Sequence, residues 1–392
     1  MDHLQRQTRP TNEKYPNARR NILLAAVGVP LLGVAFRVEA DGGLSSNAVT
    51  LSRAVALDGP AGAKGREQEA ALQAYFLALN AAGGIHGRKI VLKTANIDLR
   101  TDDAMRRLYE EHRPFALFLF GGTPGSVVAM KQAMALKVPF VAPNSGANIF
   151  HQPGSKYVFN VRARYQDEVI AAIRHFFLVS QRRIALVHVD DAFGRDAAEG
   201  YREGIRVAQA TSLYEGRFSG DGADLATHVK ALVNAKADTV ICVGSSKRVA
   251  EIISQSREAG VSAAFMTLSN NASAGFVREL GAHARGVVVS QVSPPPTNRS
   301  TQLSRELSQL LSGKKDVEIS YAAMEAYVSA KVLVEGLRRV GPNLNREAFV
   351  QALESVRHVD LGGIEVDYSA TNRTGSRYVE LTILTASGKY LR

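Results

Sequence analysis

The chain has 392 residues and a formal net charge of +11, from 48 Lys+Arg against 37 Asp+Glu. Its 45% hydrophobic and 22% charged content is the ordinary globular mix, which excludes a disordered or collagen-like polymer and fits two or three domains. A single cysteine, Cys242, excludes an internal disulfide framework and any CxxC metal or redox motif.

Residues 1–21 are polar and basic, and Ile22–Phe36 is an apolar run of 15 residues without a charge. As a helix that run reaches roughly 22 Å, short of a hydrocarbon core of about 30 Å. Val38-Glu39-Ala40 follows as a small–x–small pattern. A charged start, a short apolar run and a small-residue site predict a signal peptide over 1–40, with an uncleaved anchor or buried helix as the alternative. Arg19-Arg20-Asn21-Ile22-Leu23 resembles a twin-arginine export signal, although paired arginines also occur in ordinary signals. No cysteine follows the apolar run, so no lipid anchor is expected, and the mature chain should be soluble in the periplasm. Residues 1–40 carry +3 of the charge and leave +8 for 41–392. That remainder is dispersed with no run of five Lys/Arg, which describes a solvated surface and not a nucleic-acid interface.

After residue 48, short β-rich runs alternate with helical patterns. Strands are predicted over Val49–Leu57, Lys89–Thr94, Phe115–Phe120, Val138–Val141, Ile184–Val189, Thr239–Val243, Ala264–Leu268 and Gly286–Val292. Several are apolar almost throughout, as strands covered on both faces are. Helices are predicted over 67–82, 102–112, 125–136, 166–179, 195–209, 223–235, 246–259, 300–311, 320–339 and 346–356. The first places Ala71, Ala74, Tyr75 and Ala78 on one face and stops at Gly83-Gly84. This alternation implies an α/β fold of doubly wound parallel sheets. Two halves of similar size are visible, about 49–160 and 163–290. Ser293–Asn298 (SPPPTN) is the clearest linker. Beyond it, Gly362–Tyr368 and Tyr378–Leu384 read as strands with no helix between them.

Ligands of open α/β sheets bind where strand ends meet helix starts. Three turns are equipped for this. In Gly121-Gly122-Thr123-Pro124-Gly125-Ser126, Thr123 suits an N-cap and Pro124 the first helical position, leaving the Gly125 and Ser126 amides to receive an anion. The same residues also describe a plain capped helix start. Pro143-Asn144-Ser145-Gly146-Ala147 offers a hydroxyl and several amides. Asp190-Asp191-Ala192-Phe193-Gly194 pairs two acids that could bind metal or act as acid and base, but no His/Glu cluster joins them and capping explains them better. There is no GxxxxGK[ST], GxSxG or HExxH, so no cofactor, metal or catalytic constellation is expected.

Taken together, these segments resemble the Leu/Ile/Val-binding-protein-like, type I periplasmic substrate-binding proteins of ABC transporters. The carriers are NAAGGIHGR (80–88), GGTPGS followed by VPFVAPNSGA, VHVDDAFGRDAAEGYREG, and SYAAMEAYVSAKVLVEGLRR. The resemblance implies two Rossmann-like lobes joined by three crossovers near 162, 293 and 370. One lobe would comprise 49–162 plus 294–370, the other 163–293 plus 371–392. A small carboxylate ligand, an amino acid or an organic acid, would lie between them, with an ABC permease and ATPase as partners and no catalysis.

The family's carboxylate-receiving hydroxyl falls on Thr123, its backbone donors on Ser145, Gly146 and Ala147, and its second-lobe aromatic on Phe193. Tyr165 is a further cleft residue. Three departures bear on the ligand. Where amino-acid-binding members hold an ammonium with an acid, this chain has Ser269-Asn270-Asn271; an expected aromatic is replaced by Ser245-Ser246; and the first loop carries Lys64. The missing acid costs a free ammonium roughly 1.5–3 kcal/mol. Lys64 favours an acidic ligand, unless it is a solvated loop lysine. The expectation is an aromatic or dicarboxylic acid over a branched-chain amino acid. A ligand-sensing module serving a signalling receptor is the alternative to transport.

Overall fold

The computed structural model describes residues 42–59, 62–297, 299–314 and 317–392. The predicted signal peptide lies outside them. No helix among the described residues is long and apolar enough to cross a membrane.

The first sheet has the order β2-β1-β3-β4-β5 and is parallel throughout. Its strands are β1 (Ala48–Val55), β2 (Lys89–Asn96), β3 (Ala116–Phe118), β4 (Phe140–Val141) and β5 (Val158–Phe159). The helices α1 (Ala63–Ala81), α2 (Asp102–His112) and α3 (Gly122–Leu136) connect them. The chain then crosses to a second sheet through α4 (Tyr165–Leu178). That sheet has the order β14-β13-β10-β9-β8-β6-β7. It is built from β6 (Arg183–Val189), β7 (Thr211–Phe218), β8 (Thr239–Val243), β9 (Ala264–Thr267) and β10 (Val288–Gln291), all parallel. Helices α5 (Ala192–Ala208), α6 (Leu225–Ala235), α7 (Ser246–Glu258) and α8 (Ala274–Leu280) connect those strands.

After β10 the chain returns to the first lobe with α9 (Gln302–Leu311), α10 (Tyr321–Val340) and α11 (Arg346–Glu354). Leu303, Leu333 and Phe349 from these helices share one core with Leu51 and Phe118 of the first sheet. The chain crosses a third time to add β13 (Glu380–Leu384) and β14 (Tyr390–Leu391), antiparallel, to the edge of the second sheet. The result is two α/β lobes joined by three crossings. A continuous apolar cluster runs between them through α4, from Leu117 and Phe140 to Leu186 and Met266.

Three differences from the sequence expectation have physical reasons. β7 (TSLYEGRF) has no apolar run, because it is the edge strand and most of its side chains face solvent. α8 is only 7 residues long, too short to display a helical period. Gly362–Tyr368 yields only a two-residue strand, β12 (Glu365–Val366), which pairs with β11 (Val359–Asp360) and joins neither large sheet. Cys242 is buried in β8, and burial pushes its thiol up, so it stays a protonated core residue.

Helices α4 and α5 pack closely because α5 turns glycines toward α4. A Cβ on Gly200 would fall 2.5 Å from the Gln166 Cα. This packing brings together the first turns of both helices, and with them Tyr165 and Phe193.

Candidate solute-binding cleft

Sheet register places two of the predicted ligand turns side by side. Leu117 and Phe118 of β3 pair with Phe140 and Val141 of β4, and a further bridge joins Gly121 to Asn144. The two strands therefore end level, and the loops after them meet. Thr123 Oγ1 lies 2.8 Å from Ser145 Oγ. Both residues are buried, Thr123 at 4% and Ser145 at 0% exposure.

The local geometry differs in detail from the expectation. The helix opens at Gly122 with Gly121 as its N-cap, so Thr123 is inside the first turn and does not cap it. The amides lacking an intrahelical acceptor are then those of Gly122 and Thr123, not Gly125 and Ser126. They lie at the positive end of α3. Of the three amides in the second loop, that of Ser145 donates to Pro143 O at 2.7 Å. That of Ala147 donates to Ser145 Oγ at 3.1 Å.

Burial pushes the Tyr165 phenol's pKa up, against the Gly146 backbone and the Ser145 side chain, which both lower it. Tyr165 N donates to Gly146 O at 2.8 Å. Gly146 is required here, since a Cβ would come within 2.8 Å of Tyr165 N and 3.1 Å of the ring's Cδ1. The Tyr165 ring is 2% exposed, with the half-buried Phe193 ring centred 4.5 Å away and the Arg162 guanidinium 4.8 Å from its own centre. Thr123, Ser145, Gly146, Ala147, Tyr165 and Phe193 therefore form one cluster.

Lys64 and Asn270 lie outside that cluster. Lys64 Nζ is 2.9 Å from Glu325 Oε2, so its charge is already matched. Burial alone would raise the Glu325 carboxyl; Lys64 and Arg162 overrule it and hold it below its usual range. Asn270 Nδ2 donates to Gly244 O at 2.9 Å on the second-lobe wall, and its Oδ1 is buried without a partner.

Sequence reasoning missed the hinge network around Arg162. This guanidinium, on the first crossing, binds Glu168 of α4, Glu325 of α10 at 3.2 Å, and the Ser269 hydroxyl. Glu168 also accepts from Ser269 N at 2.9 Å and from the Ser290 hydroxyl. The one available signal was Glu325 itself, a lone acid in the apolar run YAAMEAYVSA.

Two further carboxylates tie the lobes together at the cleft's flanks. Glu67 of α1 accepts from Ala274 N of α8 at 3.2 Å and from Ser320 Oγ at 2.6 Å. Asp196 of α5 accepts at 2.9 Å from the amide of Asn148, in the short 3-10 turn Asn148–His151 of the first lobe. Burial raises both carboxyls, Asp196 to about 6. With both flanks bonded, the cleft is closed around its own side chains.

Asp191 caps α5 by accepting from Gly194 N at 3.0 Å, and Asp190 faces Arg195 at 3.2 Å. No group of His, Cys, Asp or Glu suited to a metal ion occurs among the described residues. Asp191→Ala is expected to cost about 1 kcal/mol of stability, the value of a lost N-cap, in denaturant melts. Solute affinity should be unchanged; a loss of binding without a loss of stability would overturn the capping role.

The model of the periplasmic binding protein family matches residues 50–389. The Leu/Ile/Val-binding protein homolog 3 of Brucella melitensis is 22% identical over 336 residues, covering 84% of this chain and 89% of its own. A substrate-binding periplasmic protein from Ralstonia solanacearum superposes with a TM-score of 0.79 at 27% identity, covering 88% of this chain and 99% of its own. A fatty acid ABC transporter substrate-binding protein from Thermomonospora curvata has the same fold, with a TM-score of 0.78 at 17% identity over 90% of this chain and 94% of its own. The chain belongs to the periplasmic binding protein family and has the Leu/Ile/Val-binding-like, type I fold of two lobes.

Proposed function

We propose that this periplasmic binding protein captures a small carboxylate-bearing solute between its lobes and delivers it, chemically unchanged, to the permease and ATPase of an ABC importer. The observation that carries this reading is the Thr123–Ser145 hydroxyl pair at 2.8 Å, beside the first-turn amides of α3. Hydroxyls and a helix N-terminus together supply donors and a positive field without a buried cation. A carboxylate is the small anion that two hydroxyls and one or two amides can satisfy. Export to the periplasm is part of this reading, resting on family membership and on the basic-apolar pattern of residues 1–40.

Binding replaces contacts that the cleft side chains make with one another. Ser145 Oγ turns its one hydrogen from Thr123 to a ligand oxygen, and the Ala147 amide can turn from Ser145 Oγ to the ligand, so the gain per bond is the modest net value of exchange. Thr123→Ala is therefore expected to weaken binding by about 0.5–1.5 kcal/mol, measured by calorimetry. An unchanged affinity would remove Thr123 from the site. A ligand present at 100 times its Kd should add about 2.7 kcal/mol of stability, which makes thermal shift a direct screen.

A further inference from the structure

On the Arg162 side of the cleft the charges are already committed. Glu325 faces both Lys64 and Arg162, at 2.9 and 3.2 Å. Glu168 takes Arg162, the Ser269 amide and the Ser290 hydroxyl. An ammonium arriving at the Ser269–Asn270 wall would find no open carboxylate there. It would instead meet the Arg162 guanidinium, which is bonded to the Ser269 hydroxyl. A second carboxylate would have to draw Lys64 or Arg162 away from Glu325, leaving a buried acid short of a partner. A solute body lying against this wall is therefore uncharged.

The closed cleft also shows what shape it accepts. Tyr165 lays a flat ring against Phe193, with centres 4.5 Å apart, and under the Arg162 guanidinium at 4.8 Å. Its edge faces Gly146 so closely that a Cβ there would fall 3.1 Å from the ring's Cδ1, and Ser145 and Gly146 both bear on its phenol. An aromatic acid has the same outline, an oxygen-tipped flat ring, and adds the negative charge that the α3 N-terminus favours. Resting on the carboxylate reading above, the geometry points to an aromatic monocarboxylate, without an ammonium or a second acid, that displaces the Tyr165 ring from the Thr123–Ser145 cradle.

Matched pairs test this by calorimetry on the full chain. 3-Phenylpropanoate and L-phenylalanine differ by an ammonium, benzoate and terephthalate by a second acid, and 3-phenylpropanoate and hexanoate by the ring. The aromatic monocarboxylate is expected to bind at least tenfold tighter in each pair. Tyr165→Phe, which removes the competing hydroxyl, should tighten it two- to tenfold. Equal or tighter binding of phenylalanine, terephthalate or hexanoate, with Thr123→Ala still weakening it, overturns this inference and leaves the carboxylate receptor standing. Weaker binding by Tyr165→Phe overturns the displacement. No binding by any acid or amino acid overturns the carboxylate reading, and this inference with it.

Discussion

Arg162→Met is expected to lower folding stability by about 3–5 kcal/mol, read as a shift of the urea midpoint, because it strands buried acids. Arg162 and Glu168 side chains are 4% and 0% exposed, so solvent cannot replace the lost partner. Burial works against the guanidinium's charge, and Glu168 and Glu325, with a smaller contribution from Tyr165, hold its pKa above the ordinary value. After the substitution Glu325 keeps Lys64, whereas Glu168 keeps only the Ser269 amide and the Ser290 hydroxyl. The damage should therefore concentrate on Glu168. Adding Glu168→Gln, which removes the charge and keeps an acceptor, should recover at least half of the loss. Additive losses in the double variant would show that the two residues act independently. Since the network ties the first crossing to α10 on one side and α4 on the other, Arg162→Met should also loosen the closed arrangement of the lobes.

This network marks the boundary of what local sequence conveys. The run FALFLF announces a strand covered on both faces, and GGTPGS and PNSGA announce two strand-end turns. Parallel pairing of β3 with β4 then brings those turns together with little further information. The two turns were legible in the sequence, and the family resemblance assigned Thr123, Ser145, Gly146 and Ala147 to one site. How these residues are spent was not legible. The Ala147 amide goes back to Ser145, and the Tyr165 phenol reaches the same loop from the next crossing, which only tertiary packing of α4 on α5 decides. Lys64 looked like a recruiter of acidic ligands because its partner lies in another element far along the chain, on α10. A charge matched at long range looks free in a sequence.

Asp196→Asn is expected to stabilise the protein by roughly 2 kcal/mol at pH 7.5, an advantage that vanishes by about pH 4. The cause is desolvation. Asp196 is held between α5 and the Asn148 turn with one carboxyl oxygen unpartnered, which lifts its pKa from 3.8 to about 6. The Asn148 amide, Arg164 and Gln166 pull it down, and Glu199 pushes it up, without overcoming burial. An acid whose folded pKa is raised takes up a proton in the native state before it does so when unfolded. Its contribution to stability is therefore highest below about pH 4, is lost as pH rises to about 6, and stays lost above that. The full shift corresponds to about 3 kcal/mol, and partial exposure of the side chain reduces it to the figure given. Asn keeps an acceptor for the Asn148 amide and has no charge to desolvate. Subtracting the two pH profiles cancels every other titrating group, including Glu67, and leaves the Asp196 step between pH 4 and 6. A difference that stays constant across that window would show that Asp196 is not desolvated by closure. Because the bond joins the two lobes, the same titration makes the closed cleft easier to hold at lower pH. Scattering measurements on the ligand-free protein should then show a more compact particle at pH 5 than at pH 7.5, and no such change in Asp196→Asn.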